Sequence, residues 1–322
     1  IGINKGVDFL SASGPALSSC VGRKKSRPAS MDALIRLIAA LMCRIYGYSL
    51  VFAPQTGGLI ASLGRLSTAI LYTKTCMDAA HTIRDAVERV SAMRASAAHR
   101  PRLQAALVSV KALQAQRFSG TYVDLLQSED YGAAARFFLN DLYSDKDYSQ
   151  RDAQFSRIAG ALQRLFPQQV IATAVSLAQL HLLTEELDWQ MASMWESYTL
   201  TPSDGVTKYI SAWKSVERHD DRLTQLAIVL SVGKDLDRLT RTPGLRMMLR
   251  MMRGPARAAG LGALQDFLET GFDTFAKMTG KGRTAETFLS TIQTRESAWI
   301  ERLSYEDPTV CSDYLSHCLK QI

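Results

Sequence analysis

From Cys76 onward, apolar residues return every third or fourth position, the period of an α-helix with one buried face. In CMDAAHTIRDAVERVSAMRA, Ile83, Val87, Val90 and Met93 share a face, and His99-Arg100-Pro101 ends the helix, because the residue before a proline is biased away from the α region. LQAALVSVKALQAQRFSGTYVDLLQ continues in helical register, with a kink expected near Ser119 and Gly120. YGAAARFFLNDLY carries the stripe Phe137, Phe138, Leu142 and Tyr143. The turn SDKDYSQ offers capping side chains to RDAQFSRIAGALQRLF, in which Phe155, Ile158, Ala159, Leu162 and Leu165 face inward. Pro167 suits the first turn of a long helix, where its missing N–H costs little. That helix runs through VIATAVSLAQLHLLTEELDWQMASMWESY. It is apolar nearly all round from Val170 to Leu183, as expected of a central buried helix.

TPSDG separates it from VTKYISAWKSV, and Asp220 and Asp221 begin DRLTQLAIVLSVGKDLDRL. Pro243 opens LRMMLRMM, and Gly254-Pro255 is expected to stop it; LGALQDFLETGFDTFAKM and TAETFLSTIQTRESAWIERL follow. Alternating β-branched runs bounded by turns are missing, as is any fixed-period repeat. The expected fold is all-α, a multi-helix bundle with a long central buried helix, formed by a single helical domain over residues 76–322.

Residues 1–75 read as a poorly defined N-terminal extension with one apolar helix, Ala33 to Ala53. Its length suits a membrane span of ~20 apolar residues. Arg36 and Arg44 argue against a span, since a central arginine costs roughly 2.5–3.5 kcal/mol on the insertion scale. A basic segment ahead of an apolar one is also the order found in signal peptides, but here the apolar part is long and interrupted. Met31 is a candidate start residue.

Composition changes this picture little. At 47% hydrophobic and 21% charged, the chain has the make-up of a globular protein rather than a disordered one. A net charge of +7 favours anionic partners in general terms. The charge is segmented: residues 1–117 are basic, 124–196 acidic and 234–257 basic again, so opposite regions can neutralise each other internally. Cys20, Cys43, Cys76, Cys311 and Cys318 form no CxxC pair and read as ordinary thiols of a reducing, cytoplasmic compartment.

Three constellations carry potential chemistry. His181, Glu185 and Asp188 fall along one helical face, where an imidazole and two carboxylates can hold a metal or act as an acid/base set. The plainer reading is a hydrogen-bonded core histidine; the Glu-x-x-His pair of di-iron bundles is missing. Asp141, Tyr143, Asp145, Asp147, Arg151 and Asp152 gather at a helix–turn–helix corner. Residue six counted from Asp145 is Gln150 rather than glycine, which rules out an EF-hand loop. What remains is a pocket rim, or capping by Asp147 or Ser149 plus an Asp–Arg bridge. Arg246, Arg250, Arg253 and Arg257 share a face if the helix continues through Gly254-Pro255, with Met247, Met248, Met251 and Met252 beside them. Such a face suits an anionic surface or an acidic protein partner, or is simply solvated.

GxGxxG after a strand, GxxxxGK[ST], HExxH and GxSxG are all missing, which disfavours Rossmann, P-loop, zincin and α/β-hydrolase chemistry. Nothing supports nucleic-acid binding beyond charge. FFLNDLYSDKDYSQRD (Phe137 to Asp152), LHLLTEELD (Leu180 to Asp188), VGKDLDRL (Val232 to Leu239) and MMRGPARAAGLGALQDFLETGF (Met251 to Phe272) together resemble an uncharacterised family of helical proteins in proteobacteria. The resemblance spans roughly residues 100–305 and rests on the spacing FF-x2-DLY-x3-D-x3-RD. It implies no activity, cofactor or catalytic residue. The leading expectation is a non-catalytic cytoplasmic binding or interaction protein using a helical groove. A helical metal- or cofactor-dependent enzyme built on His181, Glu185 and Asp188, with its cofactor unspecified, and a peripheral membrane protein are the alternatives.

Overall fold

The structure, a computed structural model, describes residues 63–142, 148–166, 168–198, 204–279 and 284–321. It is all-α, with no strand among the described residues. The helices are α1 (Leu63–Ala98), α2 (Pro101–Thr121), α3 (Val123–Gln127), α4 (Gly132–Phe137), α5 (Ser149–Leu165), α6 (Gln168–Ser197), α7 (Gly205–Val216), α8 (His219–Thr240), α9 (Leu245–Met251), α10 (Arg253–Ala258), α11 (Gly262–Thr279), α12 (Thr284–Tyr305) and α13 (Pro308–Leu319). A π-helical turn, Phe138–Leu142, follows α4.

The chain arranges itself around two helices. The long α6 packs against α1, α2, α7 and α8, and α8 in turn packs against α11 and α12. Thus the helix with the most continuous apolar stretch is central, since only a position among several neighbours covers all of its sides. Asp204 caps α7 by accepting from the Thr207 N–H at 2.6 Å, and Asp307 caps α13 by accepting from Thr309 N–H at 2.9 Å. The apolar stretch Ala33 to Ala53 lies outside the described residues, and the expected boundary after residue 75 falls inside α1. Among the described residues no helix is long and apolar enough to cross a membrane.

Two departures from the periodicity have local causes. Gly254-Pro255 does not end helical structure: the chain breaks at Met252 and restarts as α10, with Pro255 in its first turn, where no backbone donor is needed. The segment expected as one helix over Tyr131 to Tyr143 tightens into α4 and then widens into the π-turn, which holds Phe138 against Phe275 and Phe288 at ring separations of 6.4 and 5.7 Å.

The core is divided. One cluster joins α2, α6, α7, α12 and α13 through Leu103, Met191, Tyr209, Leu303 and Leu315. A second gathers Tyr122, Leu226, Phe275, Phe288 and Ile300, a third Leu245, Met248 and Phe272, and a fourth Ile83, Ala159 and Ala178. Helical domains normally bury one contiguous core; here the clusters stand around a space, described below.

α13 closes onto α2 at Gly120, where any Cβ would overlap the Cys318 carbonyl. Gly120→Ala is expected to lower the unfolding free energy by about 1–3 kcal/mol, as overpacking against backbone does. Gly254→Ala, which meets nothing within 4 Å, is expected to leave stability unchanged or raise it. Urea unfolding of both variants checks the contrast.

Candidate functional site

Where the four clusters meet lies a cavity of about 350 Å³. Each cluster gives it a wall: Tyr209 from the first, Phe288 from the second, Phe272 from the third and Ala178 from the fourth. Most of the remaining lining is also apolar, with Phe118, Leu177 and Val229 among it. The volume falls in the range of small-molecule sites.

Polar groups break the wall at a few points, the first of them on α6. His181 donates from Nε2 to Asp152 Oδ2 at 2.9 Å, and Arg94 donates to the same oxygen at 2.8 Å. Burial opposes the Asp152 charge, but the hydrogen bond and charge of His181, with those of Arg94, outweigh it and hold this carboxyl below its usual pKa. Glu185 accepts with both oxygens from Lys111 Nζ at 2.9 Å, and Arg94 lies 3.5 Å from one of them. Burial is again the largest influence on its pKa and is again outweighed, here by Lys111.

Asp188 is 2% exposed and sits 3.9 Å from Lys111, which spends its hydrogen bonds on Glu185. Burial therefore dominates at Asp188 and pushes its pKa up to about 6. Lys111 itself goes up although burial lowers it, because Asp188 and Glu185 both favour its charge. The two shifts agree once the ion pair is assigned to Lys111 and Glu185, with Asp188 left undercompensated. His181, Glu185 and Asp188 thus share a helix face and are linked through two cations, Arg94 beside His181 and Glu185, and Lys111 beside Glu185 and Asp188. Among the described residues no three His, Cys, Asp or Glu side chains are grouped to hold a metal.

Deeper in the wall, Arg117 forks onto Glu296, with Nη1 to Oε1 at 3.1 Å and Nη2 to Oε2 at 2.8 Å, while Tyr122 donates to Oε1 at 2.8 Å. Burial works against the Arg117 charge, yet Glu296 outweighs it and raises the guanidinium pKa. Burial and then Glu296 push the Tyr122 hydroxyl up as well. Arg222, 5% exposed, stacks 4.3 Å over the Trp213 ring, and its Nη2 has no hydrogen-bond partner.

These groups were missed in the sequence, although they leave a signal there. Arg117 continues the buried stripe Leu103, Ala106, Val110, Leu113, and Arg222 begins the stripe Leu226, Leu230, Gly233. A charged residue in the inward phase of a helix marks a paired or unsatisfied interior charge.

At the corner, Tyr143, Asp145 and Asp147 lie outside the described residues. Arg151 lies over the rings of Tyr148 and Phe267 at 4.0 and 4.6 Å, donates to the Asp141 carbonyl at 2.6 Å and approaches Asp152 at 3.7 Å. Both Arg151 and Asp152 reach the cavity wall. Tyr148 occupies the N-cap position of α5 without a side-chain cap.

The arginine stripe stays exposed but already faces acids of α11: Arg246 and Arg250 meet Asp273 at 2.8 and 3.9 Å, Arg253 meets Glu269, and Arg257 meets Asp266 at 3.3 Å. Of the methionines beside it, Met247 and Met251 are exposed while Met248 and Met252 are buried.

Fold and site together define an all-helical protein built around a largely apolar cavity with few, buried polar groups. The chain belongs to the family described as a domain of unknown function (DUF8198), whose model matches residues 93–310. Neither the curated proteins nor the solved structures contain a match to it.

Glu296→Gln is expected to cost about 3–5 kcal/mol in urea unfolding, because it strands a buried arginine. The double change Arg117→Met plus Glu296→Leu is expected to recover much of that loss, since neither charge is then stranded. Asp188 supplies a pH test. Its folded pKa lies above the unfolded one, so its favourable contribution is present below pH ~4 and lost as pH rises through about 6. The stability advantage of Asp188→Asn over the parent should therefore grow between those limits; a flat difference would show that this carboxyl is not held neutral.

Proposed function

We propose that this protein binds an apolar small molecule in its central cavity and performs no chemistry on it. The observation that carries the reading is the convergence of four separate hydrophobic clusters on one space of about 350 Å³. Taking a water's ~30 Å³ share as a guide to heavy-atom size, that space accepts a ligand of on the order of a dozen non-hydrogen atoms. Burial of such a ligand against aromatic and aliphatic walls supplies the free energy. The reading treats the protein as a bacterial, cytoplasmic one, in keeping with the free thiols of Cys311 and Cys318.

A second reading has one observation in its favour. The His181–Asp152 pair stands on the cavity wall, and a carboxylate that orients an imidazole is a recurring arrangement for proton transfer. If the bound molecule is also a substrate, His181→Gln should abolish turnover while leaving affinity for it in place.

Decanol, neutral and mostly apolar, is the probe for the binding reading. Titration calorimetry should show it binding the wild-type chain with a negative heat-capacity change. Leu177→Trp and Val229→Phe, which fill the space from two sides, should abolish uptake while keeping or raising the melting temperature. If decanol does not bind, and the filling variants lose stability as overpacked cores do, the cavity is not a binding site.

A further inference from the structure

Five fully charged side chains line the cavity: Arg117, Arg151 and Arg222 against Asp152 and Glu296. Arg117 is matched by Glu296 and Arg151 approaches Asp152, so the wall holds one more cation than its carboxylates can balance. Asp152 is also engaged by Arg94 and His181, which leaves it little to offer a further cation.

The unmatched group is Arg222. Only 5% exposed, it makes no ion pair among the described residues, and its Nη2 has no acceptor. Asp188 acts on it electrostatically without pairing with it, and its carboxylate lies closer to Lys111, at 3.9 Å. A guanidinium cannot shed its charge to escape burial, so an interior arginine needs an anion.

Its surroundings hold it ready for one. The plane of Arg222 is fixed over the indole of Trp213, which is anchored in turn by a hydrogen bond from Nε1 to Ser304 at 3.2 Å. On the same wall, the buried hydroxyl of Tyr209 has no acceptor within hydrogen-bond reach, and Gln114 lies beside it. Two donors, one of them charged, thus stand at the border of a space whose other walls are hydrocarbon.

We infer that the cavity's ligand is an amphipathic carboxylate, with its hydrocarbon part among the four clusters and its anionic head on Arg222 and Tyr209. This rests on the cavity-binding reading and names the ligand class for it. A planar guanidinium takes both carboxylate oxygens in parallel hydrogen bonds, which a neutral alcohol cannot reproduce. The missing negative charge of the wall is then supplied by the ligand.

The test compares decanoate with decanol on the intact chain. Wild type should bind decanoate roughly tenfold or more tightly, the margin of a charge-assisted hydrogen bond away from water. Arg222→Met should erase that preference and leave decanol affinity unchanged or improved, and Tyr209→Phe should reduce it in part. Because Arg222→Met changes a core position, a second measurement uses wild type alone. With decanoate isotope-labelled at its carboxyl carbon, the bound carboxyl pKa read by NMR should fall below its free value. Equal affinity for decanoate and decanol, a preference that survives Arg222→Met, or a raised bound pKa would each overturn the inference while leaving apolar binding intact. Failure of both probes to bind would remove the cavity reading itself, and this inference with it.

Discussion

A guanidinium with almost no exposure must meet a carboxylate or unfold its surroundings, and Arg117 meets Glu296 across 179 residues of chain. Two helices far apart in the chain, α2 and α12, are tied by this fork. Around it, Tyr122 donates to the same carboxylate, and Trp299 both stacks near the guanidinium and donates to Thr121 at 2.9 Å. The Arg117 carbonyl in turn accepts from Thr121 at 2.7 Å and from the Cys318 thiol at 3.5 Å, next to the glycine that lets α13 approach. An interior pair with so many dependents specifies geometry more than it adds stability, since hydrophobic replacements of such pairs are often as stable. Here it holds α2 and α12 at a fixed separation, and the cavity lies beside it.

The segmented charge of the chain finds its explanation in helix contacts. The acidic residues of α5 and α6 face the basic side of α1 and α2: Glu186 pairs with Arg89, Asp152 with Arg94, Glu185 with Lys111 and Glu196 with Arg100. In the same way, the arginines of α9 and α10 stand over the carboxylates of α11. Exposed pairs such as these last contribute little stability each. Their effect is to neutralise a surface that, read alone, looks prepared for an anionic partner. Arg222, by contrast, is an interior cation on the wall of the cavity with no ion pair among the described residues.

Much of the fold was legible because helical period is a local property. Ile83 on α1 and Phe155, Ile158, Ala159 and Leu162 on α5 pack together in one cluster, and Val87 and Val90 on α1 are buried as expected. The central place of α6 followed from its apolar girth. Where local signals competed, periodicity misled: the π-turn at Phe138–Leu142 answers to aromatic contacts with α11 and α12, and Pro255 began a helix where it was expected to end one.

The candidate site was legible in one part and hidden in another. His181 and Asp152 were singled out for their residue types, and they do meet at the cavity, but through a hydrogen bond between α5 and α6 rather than with Glu185 and Asp188 along one face. Arg222 and Glu296 were visible only as charges in the inward phase of α8 and α12, which says that something must answer them without saying what. By itself the sequence determined which stretches are helical, which faces turn inward and where charge of each sign is concentrated. Only the tertiary structure decided that four inward faces would stop short of one another and that one interior arginine would be left over. The reason is physical: period and capping depend on neighbours a turn away, whereas a void and an unmatched charge are properties of surfaces brought together from distant parts of the chain.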